Sequence, residues 1–262
     1  MSIEIRDVHK AFGPKQILRG MSLTVEEGET VSLVGFSGAG KSVTLKHING
    51  LLRPDAGTVF VDGQEVPKLK RDELYKLRLD IGYVFQFAAL FDSMTVADNI
   101  RMGLIKKGGI GEKEMGERVS ESLGLVDLGG FENRFPAELS GGQRKRAGLA
   151  RAIAYRPKYL LYDEPTSGLD PVTTTVIDEL ILRMRDQLGV TSLVITHDMK
   201  SAYRISDKIA VLYQGRVVEV GTPDEIRQSG NQVVRSFVEG RPDLAHDAEV
   251  QRVPAAETRR LT

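Results

Sequence analysis
Apolar and polar positions alternate between two regimes along this chain. Short apolar, β-leaning runs at residues 3–7, 22–26, 30–34, 58–61 and 81–85 predict strands. From about residue 95 to 155 the apolar residues recur at helical spacing, interrupted by the flexible Lys107-Gly108-Gly109-Ile110-Gly111. Strand-like runs then resume at 159–162, 191–196 and 208–213, and Gln214-Gly215 reads as a hairpin turn into 216–220. Several of these runs are apolar without alternation, as strands covered on both faces are. The pattern predicts an α/β core in two pieces with a helical insertion between them, and no internal repeat.

Chemistry enters at the ends of two of these runs. After the strand at 30–34 comes Gly35-Phe36-Ser37-Gly38-Ala39-Gly40-Lys41-Ser42, which fits G-x-x-x-x-G-K-[ST]. Residues 42–49 continue at helical spacing through Val43, Leu45 and Ile48. In such a strand–loop–helix unit, glycines let backbone N–H groups converge on a phosphate, aided by the positive end of the helix. Lys41 is then placed for the β- and γ-phosphates and the Ser42 hydroxyl for Mg²⁺. The second run, 159–162, ends in Asp163-Glu164. Ligand sites gather at the carboxyl ends of parallel strands. Asp163 is therefore assigned to the Mg²⁺ shell and Glu164 to orienting and deprotonating the attacking water.

Between these elements stands Leu139-Ser140-Gly141-Gly142-Gln143. Ser140 suits an N-cap for a helix over 141–155, with Ala147, Leu149, Ala150, Ile153 and Ala154 on its packed side and Arg144, Lys145, Arg146 and Arg151 available to its polar face. Two glycines at its start allow close approach to an anion.

With these motifs in this order, the chain resembles the ABC (ATP-binding cassette) ATPases from residue 3 to about 240. The resemblance implies an α/β fold: a P-loop NTPase (RecA-like) core with an antiparallel β subdomain and an inserted α-helical signature subdomain. The cassette would span 1–240, with core segments 1–94 and 156–240 and a helical subdomain at about 95–155. The cofactors implied are ATP and Mg²⁺. By the same resemblance Phe12 stands where the family stacks an aromatic on adenine, although a core phenylalanine would satisfy the pattern too. Gln86 matches the glutamine that senses Mg²⁺ and the attacking water, Ser167-Gly168-Leu169-Asp170 the loop that crosses the dimer interface, and His197 the histidine that contacts the γ-phosphate. Two cassettes would pack head to tail as a homodimer, each ATP lying between one phosphate loop and the partner's Ser140, Gly141, Gly142 and Gln143.

Ser42-Val43, the segment 85–96, and the segments 144–151 and 233–240 look similar to the cassettes of MCE lipid-transport systems, the MlaF-like ATPases. That similarity implies an integral-membrane, MlaE-like permease docking near residues 86–93 and an MCE-domain lipid-binding protein beyond it. An apolar subdomain face is the alternative for 86–93. Gln143 and the unaltered Ser167-Gly168-Leu169-Asp170 depart from MlaF and resemble importer cassettes, so an amino-acid or other small-solute importer is the competing substrate class.

Composition adds bounds. The 262 residues carry 36 basic and 36 acidic side chains, so net charge gives no electrostatic footprint for nucleic acid. Cysteine is absent, which fits a cytosolic protein. No apolar run approaches a membrane span and the N-terminus lacks signal-peptide character. The expected location is therefore peripheral, on the cytoplasmic face of the inner (cell) membrane. The tail 241–262, rich in charge, alanine and proline, is expected to be disordered unless a partner orders it.

Overall fold
The computed structural model describes residues 2–240, so the tail beyond 240 and its expected disorder lie outside the described residues. β1 (Ile3–Phe12) and β2 (Lys15–Val25) form one long antiparallel hairpin. Both strands extend well past the expected limits. Three register shifts along their pairing, and a left-handed Asp7 (φ 48), break the two-residue alternation from which strand length is read. β3 (Thr30–Val34) follows and leads through the phosphate loop into α1 (Lys41–Ile48). Then come β4 (Ala56–Val61), β5 (Gln64–Glu65), α2 (Arg71–Leu79) and β6 (Ile81–Val84).

The expected helical stretch resolves into α3 (Val96–Lys107), α4 (Glu112–Leu125) and α5 (Gly141–Ile153). Thr95 caps α3 by accepting from the Asp98 N–H, and Gly108 ends it at φ 71, in the glycine-rich interruption. The remainder alternates as β7 (Tyr159–Asp163), α6 (Pro171–Leu188), β8 (Thr191–Ile195), α7 (Met199–Ile205), β9 (Lys208–Tyr213), β10 (Arg216–Gly221), α8 (Pro223–Arg227) and α9 (Gln232–Val238). Gln214 (φ 45) and Gly215 (φ 77) are both left-handed, as the tight β9–β10 turn requires.

Two sheets result. One is antiparallel, in the order β2-β1-β4-β5; the other has the order β10-β9-β3-β8-β7-β6, parallel except for the β9–β10 hairpin. Side chains alternate across the larger sheet. Tyr159, Leu161, Leu193 and Ile195 join the core shared with the antiparallel sheet and α1, whereas Leu160, Tyr162 and Val194 join the core built with α3 to α6. Both faces are thus covered, which explains the unbroken apolar runs. β3 and β7, separated in the sheet only by β8, bring the phosphate loop and the Asp163-Glu164 strand end to the same carboxyl edge.

Candidate functional site
The phosphate loop leaves β3 and enters α1 through Gly40, whose φ of 111 belongs to glycine. A Cβ there would lie 2.6 Å from Leu18 Cδ2. No side chain caps α1 and no acidic residue occupies its first turn, so its first backbone N–H groups have no side-chain cap at the cavity. Lys41 is buried and its Nζ donates to the Gly35 carbonyl at 2.8 Å and the Phe36 carbonyl at 3.3 Å. Burial lowers the Lys41 pKa, an effect opposed by the nearby Glu164 and Asp163 carboxylates. The cavity holds about 420 Å³ and is lined by Ser37, Gly38, Gly40, Lys41, Ser42 and Val43, with Gln86, Glu164 and His197 opposite and Lys15 and Ile17 at its β2 side. Its volume is that of a small-ligand site.

At the end of β7 the carboxylates separate in role. Asp163 accepts from the Ser42 hydroxyl at 2.9 Å and from the Tyr83 hydroxyl at 3.1 Å. This pair of hard oxygen donors fits Mg²⁺, which is held by few protein ligands and keeps most of its water. Tyr83, whose pKa burial and then Asp163 push upward, stays a neutral donor that orients the carboxylate. Glu164 adopts φ 51, a strained conformation for a non-glycine residue, held by its N–H bond to the Ile195 carbonyl. Its Oε2 is 2.6 Å from His197 Nδ1, and its Oε1 is 4.0 Å from Lys41 Nζ. Gln86 donates to the Ser167 hydroxyl at 3.3 Å rather than to Asp163.

Other expected residues lie apart. Phe12 is 47% exposed with Lys10 Nζ 5.7 Å from its ring centroid, so it is not the core phenylalanine that its pattern also allowed. It does not line the cavity. Nor do Ser140, Gly141, Gly142 and Gln143, which form a capping box at the start of α5: the Ser140 hydroxyl accepts from the Gln143 N–H, and the Gln143 side chain accepts from the Ser140 N–H. The basic residues of α5 do not form the free polar face expected of them. Each finds backbone carbonyls: Arg144 at Leu139, Lys145 at Pro165 and Ser167, Arg146 at Val126 and Asp127, Arg151 at Ala88 and Ala89. The reason is tertiary: turns brought against α5 from elsewhere in the chain leave carbonyls that its long cationic side chains satisfy.

Sequence reasoning missed Tyr83, Ile17 and the aromatic support of the loop. Phe36 packs edge-on against Phe237 of α9, ring centroids 5.2 Å apart, and against Tyr213 at 6.1 Å. No local signal joins residues 36 and 237. A second cavity of about 400 Å³, more apolar than the first, lies between α3 and α5 beside Tyr83, Phe85, Ala89 and Phe91. The buried Asn99 fixes its wall by accepting from the Phe91 N–H at 2.7 Å and donating to the Phe91 carbonyl at 3.1 Å. Phe87 is 86% exposed and Phe91 52%, so both rings present apolar surface to solvent, while in the same segment Ala88 is buried and Leu90 packs against the helical core.

A glycine loop on a buried strand, a buried lysine and a strand-end glutamate lining one cavity, with Asp163 bonded to Ser42 beside it, define a P-loop nucleotide-hydrolysing protein. The chain belongs to the ABC transporter family, whose model matches residues 18–167. It is 42% identical over 241 residues to the probable ribonucleotide transport ATP-binding protein mkl of Mycobacterium tuberculosis, covering 92% of this chain and 67% of that one. It is also 42% identical over 257 residues to Protein TRIGALACTOSYLDIACYLGLYCEROL 3, chloroplastic, of Arabidopsis thaliana, covering 92% and 74%. Among solved structures, the cassette MJ0796 in a dimeric post-hydrolysis state bound to ADP and Pi superposes with a TM-score of 0.77 at 35% identity, covering 84% of this chain and 98% of that one. The chain is an ABC ATPase that hydrolyses ATP with Mg²⁺, and such cassettes work as dimers with membrane permeases. Among the described residues no helix is long and apolar enough to cross a membrane.

Proposed function
We propose that this chain is the ATPase subunit of a phospholipid transporter of the MCE type, with its hydrolytic site divided between two copies. Within one chain, the loop N–H groups from Gly35 to Val43 and the Lys41 ammonium bind the phosphates. Ser42, Asp163 and Gln86 hold Mg²⁺, which when bound neutralises charge on the phosphates. Glu164 takes a proton from the attacking water while His197 contacts the γ-phosphate and holds the Glu164 carboxylate in place. Phe12, exposed at the end of β1, stacks on adenine. The cassette extends over 1–240, with α3 to α5 as its helical subdomain.

The observation that carries the divided site is the placing of the 140–143 segment. Its capped, glycine-bearing helix start lies outside the chain's own nucleotide cavity, and a Cβ at Gly141 would meet nothing within 4 Å. A second cassette with its phosphates fits that open helix end, giving a twofold interface with two composite sites. The test is Glu164→Gln with ATP: turnover falls by ~10²–10⁴-fold as expected for loss of a general base, while the ATP-bound chain runs as a dimer in size-exclusion chromatography with light scattering. Parent-rate turnover in this variant would remove Glu164 from its role.

The exposed Phe87 and Phe91 beside the apolar cavity support permease docking, and the likeness to a protein named for a galactolipid supports the lipid substrate. The likeness to a ribonucleotide transport protein supports the small-solute alternative. Gentle solubilisation and co-purification separate them: the chain, peripheral on the cytoplasmic face of the inner membrane, is expected to bring with it an MlaE-like permease, an MCE-domain protein and bound phospholipid. A permease with a soluble solute receptor would discard the lipid reading and keep the ATPase.

A further inference from the structure
Lys145 is on α5, two residues beyond the capping box that starts that helix. Its side chain turns away from solvent to the segment immediately after Glu164. Its Nζ donates to the Pro165 carbonyl at 2.8 Å and to the Ser167 carbonyl at 2.6 Å. Both bonds fall on one short turn, closed also by the Ser167 N–H bond to the Glu164 carbonyl at 3.2 Å. Pro165 itself is buried and has no N–H to donate, and the Lys145 bonds add to the backbone bonds of Glu164 to Ile195 and of Leu169 to Thr166. The same turn supplies the Ser167 hydroxyl that accepts from Gln86. One ammonium therefore pins the turn from which both Glu164 and, through Ser167, Gln86 are positioned.

We propose that Lys145 is a positioning residue for ATP hydrolysis, tying the start of α5 to the turn after Glu164 so that Glu164 and Gln86 are aligned on the attacking water. The inference rests on the reading of Glu164 and Gln86 given above. Two further observations fit it. A half-buried lysine that only filled space would be a poor choice, since an ammonium is costly to desolvate unless it is hydrogen-bonded; burial holds the Lys145 pKa down at about 8, with Glu164 opposing that fall. The charge thus lies within electrostatic reach of the catalytic carboxylate. Moreover, α5 is the helix whose start is offered to the partner's nucleotide, so the clamp makes a direct mechanical link between the two composite sites.

The test uses the full chain with Lys145→Met and Lys145→Arg, measuring ATP turnover, ATP affinity and thermal midpoint. Loss of a charge-assisted clamp on a catalytic turn is expected to lower kcat by about tenfold or more in K145M, with KM and the ATP Kd within about twofold of the parent. K145R, which keeps charge and multiple donors, should recover kcat to within about threefold. Parent-like kcat in K145M overturns the proposal. So does a parallel loss of kcat, ATP affinity and thermal midpoint, the signature of a purely structural lysine, and so does a K145R as slow as K145M. If K145M does not fold, K145Q is measured in the same way, and parent-like kcat again overturns the clamp. Glu164→Gln runs beside these variants: turnover in it at the parent rate would sink the site reading itself, whereas an inactive E164Q with an unaffected K145M would sink the clamp alone.

Discussion
Lys41 and Glu164 sit 4.0 Å apart in a shielded pocket, side chains 9% and 14% exposed, and each has a second partner that holds it there. Lys41 is anchored by the Gly35 and Phe36 carbonyls, so its ammonium is already aimed along the loop before a nucleotide arrives. Lys41→Ala should weaken ATP binding by about 2 kcal/mol, the loss of one charge-assisted contact, read by calorimetry with a non-hydrolysable analogue. Undiminished affinity would count against the loop assignment. His197 is bound to Glu164 through Nδ1 and is otherwise well exposed. His197→Ala should therefore reduce kcat by about tenfold or more and leave ATP affinity within a few-fold if its contact with Glu164 orients the proposed general base. At this scale much was legible. Gly35 to Ser42, Asp163 and Glu164 are carried by adjacent letters in a strand-end context. Tyr83 and Lys145 were not legible, because their partners, Asp163 and the turn at 165–167, are 80 and 20 to 22 residues away.

Among the elements, α9 shows how a distant segment stabilises the site. Its Phe237 packs on Phe36 inside the phosphate loop. Phe237→Ala removes that aromatic contact and should cost about 1–3 kcal/mol of stability, with ATP affinity falling in parallel, as seen by thermal unfolding with and without nucleotide. The proposed docking surface is the segment before α3. Phe87→Glu or Phe91→Glu should leave the chain's own ATPase rate unchanged, because neither ring lines the nucleotide cavity, and should abolish transport in reconstituted vesicles. Surviving transport would discard the docking groove. Helices were less legible than strands here. α6 opens with Pro171-Val172-Thr173-Thr174-Thr175-Val176, β-branched residues with low helix propensity. It is a helix because Asp170 accepts from the Val172 and Thr173 N–H groups, Pro171 occupies its first turn, and Ile177, Leu180, Ile181 and Met184 are buried. Tertiary burial outweighs local propensity at that point.

For the whole molecule, the two glycines of the 141–142 pair differ in what surrounds them. A Cβ at Gly142 would lie 2.5 Å from Thr173 Cγ2 of the same chain, whereas one at Gly141 would meet nothing within 4 Å. Gly141→Leu should accordingly leave the thermal midpoint of the single chain within a few degrees yet block ATP-driven dimerisation and turnover; a variant that still dimerised with ATP would separate this helix from the interface. By itself the sequence determined the family, the alternation of strands with a helical insertion, and the glycine loop and strand-end glutamate that line one cavity. Those features are written in contiguous motifs and in the apolar runs of strands covered on both faces. Only the tertiary structure decided where the first two strands end, which basic side chains of α5 are spent on carbonyls, and how β3 and β7 bring residues 41 and 164 together. These outcomes depend on packing between segments far apart in the chain, which no local pattern of letters encodes.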